Sequence, residues 1–224
     1  MPLTNTHRQP MNPMVRAEIL DAFARAGIAP GVMVRAAAAL AAPVSGKRAE
    51  ADADGHLRWT LTTEQPATVF DWERFDFVSE VLLMDGLVLP ATKQVPLLDS
   101  HSRYSVDDIL GSVTDIKSAE AGGYAAVDGL VRFASDERAQ RVLQLVRDGH
   151  LTDGSVGYRV DRAVWIPEGE QAAIRGRVFD GPLKVSHQWS LKEFSATPIG
   201  ADALAKVRSL CTGQRGRLAT PNRR

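Results

Sequence analysis

Behind Asn12-Pro13, the apolar residues Val15, Ile19 and Phe23 recur every four positions, and Gly27 and Pro30 close the run. That spacing puts one apolar stripe on a helix. Asn12 suits its cap and Pro13 its first position. A second helix is predicted over Met33–Ala42, stopped by Pro43. Ser45–Gly55 is polar and charged and reads as a linker. Residues 1–55 therefore read as a helical appendage suited to docking or self-assembly.

From Trp59 the period changes. Glu80–Pro90 is apolar around Asp85-Gly86, which predicts a hairpin turn. Val95–Leu98 is a short strand candidate, and Ile109–Lys117 and Tyr124–Phe133 are predicted strands joined at Gly122-Gly123. Ser135–Gly149 carries the clearest helical stripe, in Ala139, Val142, Leu143 and Val146. Ser135 is its expected cap, Asp136 and Glu137 complement the positive end of its dipole, and Gly149 suits its left-handed end. Strands are predicted at Ser155–Val164 and Val185–Phe194, and a last helix over Ala201–Leu210. Many strands and few helices predict a β-rich α+β domain over residues 56–210. Beyond Ala203 there are six basic residues and no acidic one, and 211–224 reads as a basic, disordered tail.

Composition narrows the partners. Lys+Arg and Asp+Glu are equal at 27 each, so no global field draws nucleic acid or an anionic membrane surface. No apolar run reaches the ~18 residues of a membrane span. The alanine-rich Val34–Pro43 follows Arg16, Glu18, Asp21 and Arg25, which favours a helix over a signal-peptide core. Cys211 is the only cysteine, which excludes an intramolecular disulfide and a zinc site built on several thiolates. A reduced, intracellular setting fits.

The candidate chemistry starts at Asp153-Gly154-Ser155-Val156-Gly157-Tyr158. Strand alternation turns Val156, Tyr158 and Val160 to the core and Ser155 and Gly157 to the other face. Glycine inside a strand marks a close backbone approach, and a peptide over Ser155 is one such backbone. The plain alternative is a bulge beside an ordinary exposed serine. His101 follows an apolar strand in Leu97-Leu98-Asp99-Ser100-His101-Ser102-Arg103 and can exchange a proton near neutral pH. His7, His56 and His150 read as structural or solvated. On an unbulged strand His187, Trp189, Leu191 and Glu193 share an inward face, where a carboxylate needs a partner. That partner is either a histidine or an arginine. Asp99, His101, Asp107 and Asp108 are close in sequence but lack a metal-site spacing, and no phosphate-binding glycine loop is present, so no metal or cofactor is expected.

Four motifs in order resemble the prohead proteases of tailed bacteriophages, which are similar in fold to the herpesvirus assembly proteases. They are Leu97–Arg103, Ile109-Leu110-Gly111-Ser112-Val113, Gly154–Tyr158, and Trp189–Asp202 with its Glu193-Phe194-Ser195 and Pro198. The resemblance spans roughly residues 75–205. It departs from the family in a long 161–188 and in Phe194, where a smaller aliphatic residue is usual. The resemblance implies a compact β-barrel with surrounding helices, Ser155 as nucleophile and His101 as base. It further implies cleavage of capsid and scaffold proteins, and possible contact with the portal, inside immature capsids in the host bacterial cytoplasm. Glu193 is expected to orient His101, with His187 as the alternative and Asp161, some 20 Å along the strand from Ser155 at ~3.3 Å per residue, last. Gly157 and Val156 are expected to meet the substrate. The Val156 N–H, or an arginine from a loop, would supply oxyanion donors. Neither a nucleic-acid nor a membrane partner is expected, and a homo-oligomer is possible. The competing readings are a catalytically inactive capsid-assembly module with the same fold and a hydrolase of small molecules.

Overall fold

The computed structural model describes residues 33–34 and 56–208. The predicted helix that begins at Asn12-Pro13, the linker Ser45–Gly55 and the tail 211–224 lie outside the described residues. In chain order the strands are β1 (Met33–Val34), β2 (Leu57–Thr63), β3 (Ala67–Asp71), β4 (Asp76–Leu82), β5 (Leu87–Val88) and β6 (Val95–Asp99). There follow β7 (Ile109–Ala121), β8 (Tyr124–Phe133), the helix α1 (Glu137–Arg147), β9 (Asp153–Ile166), β10 (Gln171–Ile174), β11 (Arg177–Asp180) and β12 (Leu183–Thr197).

One mixed sheet of ten strands dominates, with the path β1-β9-β12-β6-β7-β8-β2. β12 is its spine. One edge of β12 runs antiparallel to β9, and the other takes β4, β5 and β6 in succession, all parallel. The fold is therefore β-rich with a single α-helix among the described residues, and the expected set of surrounding helices is absent there. The expected closed barrel is not formed among the described residues either: β1 and β2, at the two ends of the path, do not pair. The sheet curls enough for Trp59 of β2 to meet Phe194 of β12 edge-on, their rings 5.4 Å apart. The apolar side chains of the inner face, with Ala139, Leu143 and Val146 of α1, make one core. Between β2 and β9 lies residues 205–208. Thr60 N–H donates to Lys206 O at 3.0 Å, Gly154 N–H to Ala205 O at 3.0 Å, and Val207 N–H to Thr152 O at 3.1 Å. The helix predicted over Ala201–Leu210 is thus replaced, over 201–208, by turns and two isolated bridges, Trp59 to Val207 and Asp153 to Lys206. Backbone groups at this seam find partners on both flanking strands, which a helix would not offer.

Other local expectations also shift. Met33–Val34 is a strand on β9 rather than the start of a helix, so the sheet reaches back into the segment read as an appendage. The Asp85-Gly86 hairpin is not formed. Met84–Gly86 is a 3-10 turn, and the strands on either side of it both run parallel to β12, so the chain jogs forward instead of reversing. Trp189 fixes the jog, its indole N–H donating to Leu83 O at 2.8 Å. The cap of α1 is Asp136, whose carboxylate accepts from Ala139 N–H at 3.0 Å, rather than Ser135. A carboxylate there also meets the helix dipole favourably. The hairpin β10–β11 fills part of the long 161–188 stretch and packs over a smaller apolar cluster with Leu83, Ile166 and Val185. No helix among the described residues is long and apolar enough to cross a membrane.

Candidate functional site

Ser155 lies on β9 directly opposite Ser195 on β12, and Gly157 lies opposite Glu193. Directly opposed residues in antiparallel strands hold their Cα atoms ~4.5–5.5 Å apart. On the far side of β12, Ser195 pairs with Leu98 of β6 and Ala196 with Asp99. The chain leaving β6 turns back at once, with Ser102 N–H donating to Asp99 O at 2.8 Å and positive φ at Ser100 (47°) and His101 (64°). Positive φ at both central residues defines the tight type I′ turn, which usually takes Gly or Asn. Ser and His at these positions cost of order 1–3 kcal/mol each, and such backbone concentrates at functional sites. The turn is held from below. Ser100 N–H donates to Ala196 O at 3.1 Å, and His101 N–H donates to Ser195 Oγ at 3.0 Å.

This turn sets the His101 ring over β12. Its Nδ1 is 2.6 Å from Glu193 Oε1, and Ser195 Oγ donates to Glu193 Oε2 at 2.8 Å. Both carboxylate oxygens are therefore engaged, and Glu193 is 3% exposed. An Nδ1–H aimed at a carboxylate leaves Nε2 as the basic nitrogen of a neutral ring. His101 Nε2 and Ser155 Oγ are both buried, and neither has a hydrogen-bond partner. Buried polar atoms without partners are rare in folded proteins, and a catalytic role is one of the accepted reasons for them. Serine–histidine contacts are commonly long before substrate binds.

Glu193 reaches this place because β12 is bulged. The β9–β12 register shifts between Leu191 and Glu193, with Leu191 opposite Tyr158 and Glu193 opposite Gly157. The extra residue, Lys192, is exposed. The predicted common face of Trp189, Leu191 and Glu193 is thereby broken: Trp189 and Leu191 stay in the core, and Glu193 turns to the Ser155 face. One inserted residue exchanges the faces of all that follow.

Ser155 is 4% exposed, so the open serine face expected from the strand pattern is not present. Nor does the bare Gly157 leave room for a peptide. A Cβ on Gly157 would stand 2.0 Å from Glu193 Oε1, so the missing side chain makes space for the carboxylate. At Gly154, a Cβ would fall 2.1 Å from the Phe194 ring, which accounts for a glycine before the serine. Val156 points into the core at 1% exposure, so only its backbone could meet a substrate. His187 is not brought to His101. It lines a separate polar cavity of about 520 Å³, with Asp71, Asp161 and Lys184 among its walls. Asp161 accepts from Ser190 Oγ at 2.6 Å and pairs with Arg159 at 2.8 Å. The Ser190 hydrogen bond, then Arg159, hold its carboxyl below the ordinary value.

Sequence reasoning missed Ser195 as a separate participant. Its signal is the spacing Glu193-x-Ser195, which on a strand puts carboxylate and hydroxyl on one face. It missed Arg138 too. From the first turn of α1, this side chain donates to Asp99 Oδ2 at 2.8 Å and to Asp107 O, tying the histidine turn to the helix. Comparisons with family models, curated proteins and solved structures returned no match to this chain.

Proposed function

We propose that this chain is a serine endopeptidase in which Ser155 is the nucleophile, His101 the base and Glu193 the group that orients and stabilises His101. The observation that carries the reading is the 2.6 Å pairing of His101 Nδ1 with a buried carboxylate, one strand away from a buried serine hydroxyl with no partner. In the first step Ser155 Oγ bonds to the scissile carbonyl carbon while its proton passes to His101 Nε2. The C–N bond then breaks, the amine leaves with that proton, and an ester to Ser155 remains. Water, deprotonated by the same nitrogen, attacks the ester, releases the new carboxylic acid and restores the serine. Glu193 offsets the positive charge on His101 in both steps, and Ser195 keeps the carboxylate and the histidine backbone in register. No step calls on a metal or cofactor.

The motif resemblance extends the reading to the prohead proteases. On that reading the substrates are capsid and scaffold proteins cut within the immature capsid, and the curled sheet with its seam at 205–208 is the counterpart of the family's barrel.

The test is labelling with a fluorophosphonate, which reacts only with an activated serine, followed by peptide mass mapping. The expected result is a single adduct on Ser155, lost in Ser155→Ala and strongly slowed in Glu193→Gln. Co-expression with the capsid protein encoded nearby should yield a Ser155-dependent truncation. A folded protein that takes no label and leaves the capsid protein intact would make this an assembly module without catalysis.

A further inference from the structure

Arg58, Arg138, Arg159, Arg175, Arg177 and Arg208 each pair with a carboxylate. Arg132 and Arg147 have no carboxylate partner among the described residues. Both line one open cavity of about 540 Å³ where β7, β8 and α1 meet. Arg132 comes from β8 and Arg147 from the last turn of α1. No acidic residue lines this cavity, and its other polar walls are Ser112, Ser135 and Gln140. Ser112 stands directly across the strand pair from Arg132. We propose that this cavity is a docking site for an acidic segment of a protein partner, whose carboxylates pair with Arg132 and Arg147. The inference is independent of the peptidase reading, since Ser155, His101 and Glu193 are not among the lining residues.

Three observations support it. First, two guanidinium groups from different elements converge on one space, and each is permanently charged with a fork of donors that fits a carboxylate. The carboxylates next to them along the chain are committed elsewhere. Asp136 accepts from Ala139 N–H at 3.0 Å, and Asp148 accepts from Gln144 at 2.8 Å. Second, the walls favour an acceptor-rich ligand. The hydroxyls of Ser112 and Ser135 can both donate to it. Third, the cavity is too large for a single oxyanion. From Gln140 to Arg147 its α1 wall runs ~10 Å, at ~1.5 Å per residue. That is the span of about three residues of extended peptide at ~3.3 Å each. Phe133 and Leu143 add an apolar wall, against which the side chains between the carboxylates can rest. The chain's formal net charge of 0 provides no long-range attraction for a nucleic acid, which leaves a short acidic peptide as the fitting anion.

The test uses the full chain and a fluorescein-labelled peptide in which glutamate alternates with leucine, followed by anisotropy. The same peptide with glutamine in place of glutamate is the neutral probe. The acidic peptide should bind the parent, and its binding should weaken as salt is raised, because the charges meet in an open cavity. Arg132→Gln and Arg147→Gln should each weaken binding by about tenfold, the effect of losing one charged hydrogen-bonded pair. Arg141→Gln, on α1 but outside the cavity, should leave it unchanged. Gln140→Glu sets a carboxylate beside the arginines with almost no change of shape and should abolish binding. That arm stands if an arginine variant fails to fold. Equal binding of the acidic and neutral peptides overturns the proposal. So does equal binding of the acidic peptide to the parent and to all three cavity variants, or no binding to the parent. Displacement of the peptide by an equal concentration of inorganic phosphate overturns it too, and makes this a site for small oxyanions.

Discussion

Glycine at 157 is the residue whose absence of a side chain matters most. With a Cβ 2.0 Å from Glu193 Oε1 and 2.7 Å from Cδ, alanine cannot coexist with the carboxylate where it now lies. Gly157→Ala should therefore act as a displaced Glu193. We expect kcat/KM to fall by about 10²-fold or more, as for other losses of the group that orients a catalytic histidine. The melting temperature should fall by only a few degrees, since one flexible side chain absorbs the overlap. Peptide hydrolysis and circular dichroism on the same preparation decide it, and full activity in a folded variant would remove Glu193 from the mechanism. Ser155 and His101 were singled out in the sequence through their motifs. The reason for Gly157 was not, because it depends on a carboxylate 36 residues further on, brought across a strand pair.

At the level of elements, the start of β9 is clamped by charge. Asp153 pairs with Lys206 and accepts from Gly200 N–H at 3.0 Å, which pins the 200–206 segment two residues before Ser155. Burial pushes the Asp153 carboxyl up, but the Lys206 hydrogen bond, the Gly200 and Thr152 bonds and the Lys206 charge together hold it below 3.8. A carboxyl depressed in the folded state adds stability that is complete above its unfolded value and lost as pH falls through the folded one. The contribution should thus be whole above about pH 5 and fall away as pH drops below the ordinary carboxylate value. Thermal melts of wild type and Asp153→Asn should differ by roughly 4–8 °C near neutral pH, from about 2 kcal/mol of charged hydrogen bonding. The gap should narrow as pH is lowered through the acidic range, and a constant gap would assign the clamp to packing instead. The sequence showed α1 well, because a stripe at helical spacing is local. It hid the seam at 205–208 and the bulge at Lys192. A bulge has no composition of its own, and the short apolar run Ala203–Val207 fits a helix until two strand edges claim its backbone groups.

For the molecule as a whole, the order of strands in space differs sharply from their order along the chain. β12 comes last of the described strands yet lies between β9 on one side and β4, β5 and β6 on the other. The path β1-β9-β12-β6-β7-β8-β2 therefore cannot be joined across its middle until β12 is present. Trp189, Leu191 and Phe194 also supply the centre of the core. A chain ending at Pro182 should show no cooperative melt and take no fluorophosphonate, although it contains both Ser155 and His101. Retained labelling in that fragment would mean the two residues find each other without the spine. Pairings between distant parts of a chain form late, since closing long loops costs entropy before any contact repays it. During synthesis on the ribosome, Ser155 and His101 emerge before the strand that carries Glu193 and holds the histidine turn. On the proposed peptidase reading, the nascent protein gains its activity only once β12 has been made, and the timing follows from strand order.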